Sequence, residues 1–324
     1  MKRRQVLQTG LALGGAVPLG QIVWAQSWPQ RPVHIIVPFA AGSFTETAAR
    51  AIGQELSGTL GQPFVVETKG GAGSTLGTNF VAKSAPDGYT LLVTDNSFAV
   101  SSALYAKLPY DPVKDITQIS TLAEAPAVIM VQKDSPYRTL ADLVADARKN
   151  PRKLTYGSGG QGSSAHLALE LFFSGANAEL THVPYKGVAA ALLDLIAGRI
   201  DVALSSAGSS AQHIRNGRVR GLAVVGRERH PMIPDVPTFA EAGFAQYTMS
   251  YWFGLMAPAG LSPAVLQRLQ QAVAKAVEQP KVIELFAATG ARAVAANPAD
   301  FSQRVNEEAR TWKSVIAKAG IKIE

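Results

Sequence analysis

Apolar residues along this chain alternate between two rhythms. Short runs at Val33-His34-Ile35-Ile36-Val37, Phe64-Val65-Val66-Glu67 and Thr90-Leu91-Leu92-Val93-Thr94 read as strands, because a strand covered on both faces has little need of polar alternation. Between them, residues 45–60 carry Ala48, Ala49, Ile52, Leu56 and Leu60 at helical spacing, and residues 75–83 carry a shorter helix. Strand, helix, strand, helix, strand is the order of a parallel βαβαβ unit.

The rhythm resumes downstream. Strands are expected over residues 128–131, 154–156, 181–183, 202–204 and 222–225, and helices over 139–149, 163–173, 188–197 and near 210–214. Thr139, with Asp142 three residues on, caps the first of these helices. After Pro231, Pro234 and Pro237 the chain crosses an apolar segment, residues 251–257, and ends in helices over 262–279, 281–289 and 298–319. Ser262-Pro263 and Asn297-Pro298 each pair a cap with a proline at the first helical position. A helical tail with no sheet of its own must cover one built elsewhere. The expected architecture is therefore α/β in two lobes, each a mostly parallel sheet flanked by helices. Lobe 1 is discontinuous, residues 26–124 plus 246–324, lobe 2 is residues 125–245, and crossings near Ala125 and Gln246 form a hinge.

Composition narrows the function. The chain of 324 residues suits two domains, and its 47% hydrophobic and 17% charged residues argue against disorder. Cys 0 excludes a disulfide framework, thiolate zinc, an iron–sulfur cluster, a catalytic thiol and a lipidated N-terminal cysteine. Residues 1–25 read as a signal peptide: Lys2-Arg3-Arg4, a Gly-interrupted apolar stretch, then Val23-Trp24-Ala25 before a cleavage expected at Gln26. Arg3-Arg4 also fits a twin-arginine signal, with an ordinary secretory signal as the alternative. Loss of Lys2, Arg3 and Arg4 lowers the formal charge from +7 to +4. The remaining basic residues are scattered without interleaved aromatics, which argues against a nucleic-acid partner.

Candidate chemistry lies at the strand-to-helix turns, where helix N-termini offer amides and a positive dipole end to an anion. The first turn presents Phe39, Gly42, Ser43, Phe44, Thr45 and Glu46, either as a helix cap or as a cleft-facing site. The second contains a formal G-x-G-x-x-G at Gly157, Gly159 and Gly162, followed by Ser163, Ser164 and His166. It lacks the acidic residue that would hold a ribose at the end of the next strand, and no Lys-Ser/Thr pair follows the last glycine, so dinucleotide and Walker-type readings are set aside. Gly-rich backbone with Ser163 and Ser164 suits a carboxylate, and His166 reads as a supporting residue. Ser205 and Ser206 repeat the small polar theme at a further turn, while Lys186 reads as a surface lysine. No catalytic residue, metal site or cofactor is indicated: H-E-x-x-H, G-x-S-x-G and EF-hand patterns are all missing from the sequence.

These residues also carry a resemblance. Trp28-Pro29, Val37-Pro38-Phe39-Ala40-Ala41-Gly42, Gly71-Ala72-Gly73, Ala85-Pro86-Asp87-Gly88-Tyr89, Leu108-Pro109-Tyr110-Asp111, Val183-Pro184-Tyr185-Lys186-Gly187 and Val236-Pro237-Thr238 together resemble the solute-binding proteins of tripartite tricarboxylate transporters, the Bordetella uptake gene family. The resemblance implies a periplasmic receptor, not an enzyme, with a two-lobed Venus-flytrap fold that traps an organic carboxylate and delivers it to large and small inner-membrane permease subunits. A monomer is expected. Where the family has a glycine run followed by Ser/Thr and Asp, this chain has Ser43, Phe44, Thr45 and Glu46. That departure raises an aromatic dicarboxylate such as terephthalate, stacked on Phe44, as the ligand, with an aliphatic di- or tricarboxylate as the alternative and Phe44 as core packing the plainer possibility. A co-receptor for a membrane sensor would share these features.

Overall fold

The computed structural model describes residues 28–39 and 41–321. The signal-peptide reading of residues 1–25 lies outside them.

Two sheets organise the chain. The first takes β1 (Val33–Val37), β2 (Phe64–Thr68), β3 (Thr90–Asp95), β4 (Ile116–Ala125), β10 (Tyr251–Pro258) and β11 (Arg292–Ala293), in the order β11-β4-β10-β3-β1-β2. The second takes β5 (Ala127–Gln132), β6 (Thr155–Ser158), β7 (Thr181–Pro184), β8 (Val202–Ser206) and β9 (Val219–Val224), in the order β7-β6-β8-β5-β9. Pairing is parallel for β1 with β2 and β3 and for β6 with β7 and β8, and antiparallel around β10 and β5. Both sheets are thus mixed rather than simply parallel, each with one reversed strand running through its interior.

The reversed strand β10 corrects the expectation that the tail brings no sheet. Residues 251–257 were visible as an apolar run, and they insert between β3 and β4, with Tyr251 opposite Ala125 and Phe253 opposite Asp95. The reading also lacked β4 and the helix α3 (Ser97–Leu104). β4 reads Ile-Thr-Gln-Ile-Ser-Thr-Leu-Ala-Glu-Ala, with polar groups on both parities, and its pairing with β10 slips twice, so no clean period-two signal exists.

Helix ends follow the local chemistry. α1 (Phe44–Leu60) starts at the Ser43 cap, stops at Gly61 in the left-handed region, and buries Ala48, Ala49, Ile52 and Leu56 on the first sheet, and α2 (Thr75–Ala82) lies between β2 and β3 in the chain. α4 (Leu140–Lys149) carries the full Thr139/Asp142 capping box. α5 (Ser164–Gly175), α6 (Val188–Ile196) and α7 (Ala207–Arg215) follow β6, β7 and β8. The tail supplies α8 (Pro263–Val277), α9 (Pro280–Ala288) and α10 (Pro298–Ala319), each with proline in its first turn.

Only Pro126 separates β4 from β5, so the first passage between sheets takes a single residue, and residues 225–250 make the return. On one side of this passage the apolar core is continuous. Trp252 meets Phe301 edge-on at 5.1 Å, and Phe172 of α5 touches Tyr247 at 5.2 Å and Phe239 at 5.3 Å. These residues belong to one buried cluster that also takes in Leu92 and Trp312. Arg304 of α10 reaches both passages: it pairs with Glu124, donates to the Ser250 Oγ at 3.0 Å and contacts Glu308 at 3.3 Å. Glu308 in turn accepts from the Trp252 indole and the Asn96 amide, each at 2.9 Å.

Candidate functional site

Three helices, α1, α5 and α7, begin at the carboxyl ends of β1, β6 and β8, and a serine caps each one. Ser43 accepts from the Glu46 amide at 3.2 Å, Ser163 from His166 at 3.3 Å and Ser206 from Ser209 at 3.3 Å. A hydroxyl that accepts in this way keeps its hydrogen to donate, so a cap can serve an anion at the same time. Ser206 uses that capacity locally, sharing a second hydrogen bond with the Ser209 hydroxyl at 2.8 Å.

The α1 turn is closed by its own carboxylate. Glu46 Oε2 accepts from the Gly42 amide at 2.7 Å, and Oε1 accepts from Arg50 at 2.6 and 2.9 Å. The Gly42 amide first, and Arg50 second, hold the Glu46 carboxyl below its ordinary range. Gly42 sits at φ +86, a region that disfavours side chains, so the turn needs glycine there. Glu46 therefore shapes the loop and neutralises Arg50. Phe39 and Phe44 both rest against the core beneath α1, and the Phe44 ring lies edge-on to Phe253 at 4.5 Å and Phe286 at 5.5 Å. Thr45 is buried, its hydroxyl 3.5 Å from Asp95 Oδ2.

At the second turn, Gly162 donates its amide to His166 Nδ1 at 3.0 Å. That bond fixes His166 as an acceptor at Nδ1. The ring lies flat on His182, with centroids 3.8 Å apart and planes 7° from parallel, and the Tyr156 ring lies beside the pair, 4.9 Å from His182 and 6.1 Å from His166. His182 Nε2 shares a 2.7 Å hydrogen bond with Ser158 Oγ, and the Tyr156 hydroxyl donates to Glu170 at 2.5 Å. Burial holds both imidazoles neutral, lowering His166 to about 3, with His182 a second cause, and His182 to about 4. Burial also pushes the Glu170 carboxyl up. His166 thus braces the loop through the Gly162 amide. Gly157 is the penultimate residue of β6, so only part of the formal glycine motif is loop. Gly159, Ser163 and Ser164 are half-buried around the mouth of α5.

Ser205, the penultimate residue of β8, is almost fully buried opposite Val128, and Ser206 ends the strand. One residue into α7, the Gly208 backbone meets the turn after α9. A Cβ at Gly208 would fall 1.7 Å from the Thr289 carbonyl oxygen, so only glycine permits the approach. This contact ties an element of the second sheet to one of the first. The predicted residues form three local clusters, at Gly42 to Glu46, at Gly159 to His166 and at Ser205 and Ser206. Among the described residues, no hydrogen bond joins the α1 turn to either of the others. Asp95, Tyr251, Ser158 and His182 escaped the sequence reading because their partners lie far away in the chain: Asp95 is 50 residues from Thr45, and His182 is 24 from Ser158.

Among the described residues no group of three or more His, Asp or Glu is placed to hold a metal ion, and no helix is long and apolar enough to cross a membrane.

Residues 48–321 match the family described as the tripartite tricarboxylate transporter family receptor. Among solved structures, an R. palustris protein with adipate is 34% identical with a TM-score of 0.79, covering 91% of this chain and 99% of that one. MatC from Rhodopseudomonas palustris, with bound malate, is 34% identical with a TM-score of 0.76, covering 89% of this chain and 100% of its own. The periplasmic binding protein BugD is 32% identical with a TM-score of 0.76, covering 92% and 100%.

Proposed function

We propose, from the premise that the chain belongs to the tripartite tricarboxylate transporter receptor family, that it is a periplasmic receptor that captures a small aliphatic carboxylate for uptake. The observation that carries this reading is the trio of serine-capped helix N-termini at the carboxyl ends of β1, β6 and β8. Each offers first-turn amides, a positive dipole end and a hydroxyl, the donors that an organic acid needs. Similar proteins bind adipate and malate, and that likeness supports the ligand class.

An aromatic ligand such as terephthalate needs a free ring to stack on. Phe44 spends its ring on Phe253 and Phe286, which moves the reading to aliphatic di- or tricarboxylates. The lobes are residues 26–124 plus 246–324, and 125–245, with the hinge at Pro126 and ahead of Tyr251. Residues 1–25 act as the export signal, by the twin-arginine or the ordinary route. The receptor works as a monomer, catalyses no reaction and passes its cargo to large and small permease subunits. Closure on the ligand adds the α5 and α7 donors to those of α1 and shields the carboxylates from water.

A thermal-shift panel on the chain from Gln26 onward tests the reading, since a ligand bound only by the native state raises the melting temperature by mass action. Shifts with succinate, adipate, malate or citrate are expected. A shift with terephthalate alone would return the aromatic reading, and no shift with any acid would sink the receptor assignment.

A further inference from the structure

Asp95 is the last residue of β3 and lies directly opposite Phe253 on β10. Opposed residues of antiparallel strands share a sheet face, and Tyr251 is two residues along on that same face. This is the face on which Phe253 meets Phe44, so the Asp95 carboxylate stands against the first turn of α1. Its two oxygens differ in their partners. Oδ1 accepts from the Ser97 amide at 2.8 Å and shapes the entry to α3. Oδ2 faces the Thr45 hydroxyl at a long 3.5 Å, and the Ser97 hydroxyl also acts on the carboxylate. No Lys, Arg or His among the described residues forms an ion pair with it, and no cation features among the influences on its carboxyl, which burial pushes up while Ser97 and Thr45 pull it partly back. The Tyr251 phenol, pushed up by burial and by Asp95, stays protonated beside it.

We propose that Asp95 reads a hydrogen-bond donor on the ligand, so that the acid taken at the α1 turn carries a hydroxyl or ammonium group close to its carboxylate. This rests on the carboxylate-receptor reading above and deepens it. A carboxylate oxygen of the ligand set against Oδ2 would bring two anions together with no cation between them. An O–H or N–H group gives Oδ2 a closer donor than the Thr45 hydroxyl at 3.5 Å, one that an unsubstituted acid cannot supply once the site closes.

Calorimetric titration of the chain from Gln26 with matched acids tests the proposal: succinate against malate, succinate against aspartate, and tricarballylate against citrate. At least one donor-bearing acid should bind about tenfold or more tightly than its unsubstituted partner. The malate and aspartate arms separate hydroxyl from ammonium. In Asp95→Asn, which keeps an acceptor for the Ser97 amide, that ratio should collapse, and succinate should gain about tenfold because the amide can donate to its oxygens. Unsubstituted acids binding as well as their partners in the unaltered chain would overturn the proposal. So would an unchanged ratio in an Asn variant of normal melting temperature. If that variant fails to fold, the ratio in the unaltered chain decides alone. Failure of every acid to bind would overturn the receptor reading itself, a result distinct from binding without discrimination.

Discussion

Ser163 shows how one hydroxyl can hold two roles. Its oxygen accepts from the His166 amide, so Ser163→Ala should cost about 1 kcal/mol of folding stability, read from urea unfolding. If its hydrogen also reaches a ligand oxygen, affinity for the preferred acid should fall by a further factor corresponding to about 1–3 kcal/mol. Beneath it, the stacked His166 and His182 give stability a pH dependence. Both are held well below the ordinary imidazole value of 6.5, so the unfolded chain takes up protons that the folded chain refuses. Their contribution is complete above about pH 6.5 and is lost as pH falls toward 4, at a cost on the order of 3 kcal/mol for each imidazole. Melting temperature should drop across that window, and the drop should be shallower in His182→Asn. Phe44 belongs to the same scale: wedged between Phe253 and Phe286, it should cost about 1–2 kcal/mol when changed to Leu, with little effect on affinity for aliphatic acids.

At the scale of elements, what could be read from the sequence was what neighbouring residues decide. The β1 run, the Ser43 and Thr139 caps, the proline starts of α8 and α10 and the Ser163 turn all rest on interactions within four residues or so. β10 and β4 rest instead on each other. Residues 251–258 are apolar throughout, which fits a strand enclosed on both faces but does not distinguish it from buried helix or coil, and β4 hides behind an irregular register. The candidate site divides the same way. Its serine caps and glycine turn were legible, while Asp95 and His182 became visible only when strands distant in sequence were laid side by side. Phe44 was legible as a residue and ambiguous as a contact, because its partners Phe253 and Phe286 lie more than two hundred positions away.

For the whole molecule, the decisive feature is how the last helix handles the two passages between sheets. Arg304 touches Glu124 beside one and Ser250 beside the other, and Glu308 adds Trp252 and Asn96. Burial pushes the Glu308 carboxyl up, with Trp252 and Arg304 opposing, so this acid depends on its partners to stay ionised. Arg304→Ala should lower stability by about 1–3 kcal/mol, since the arginine remains partly exposed, and should change ligand affinity although it lies beside the passages between the sheets and not at the α1, α5 or α7 turns. Paired unfolding and titration experiments would separate the two effects.

The contact of Gly208 with Thr289 and Gly290 is made of bare backbone. It works more as a doorstop than as a lock: it limits how near the two halves come, while Met232 and the His230 hydrogen bond with the Gly290 backbone add a small side-chain contact. On the receptor reading, an empty molecule then gains little by staying shut. The cargo itself becomes the bolt, and a membrane partner could distinguish full from empty by posture, without inspecting what is inside.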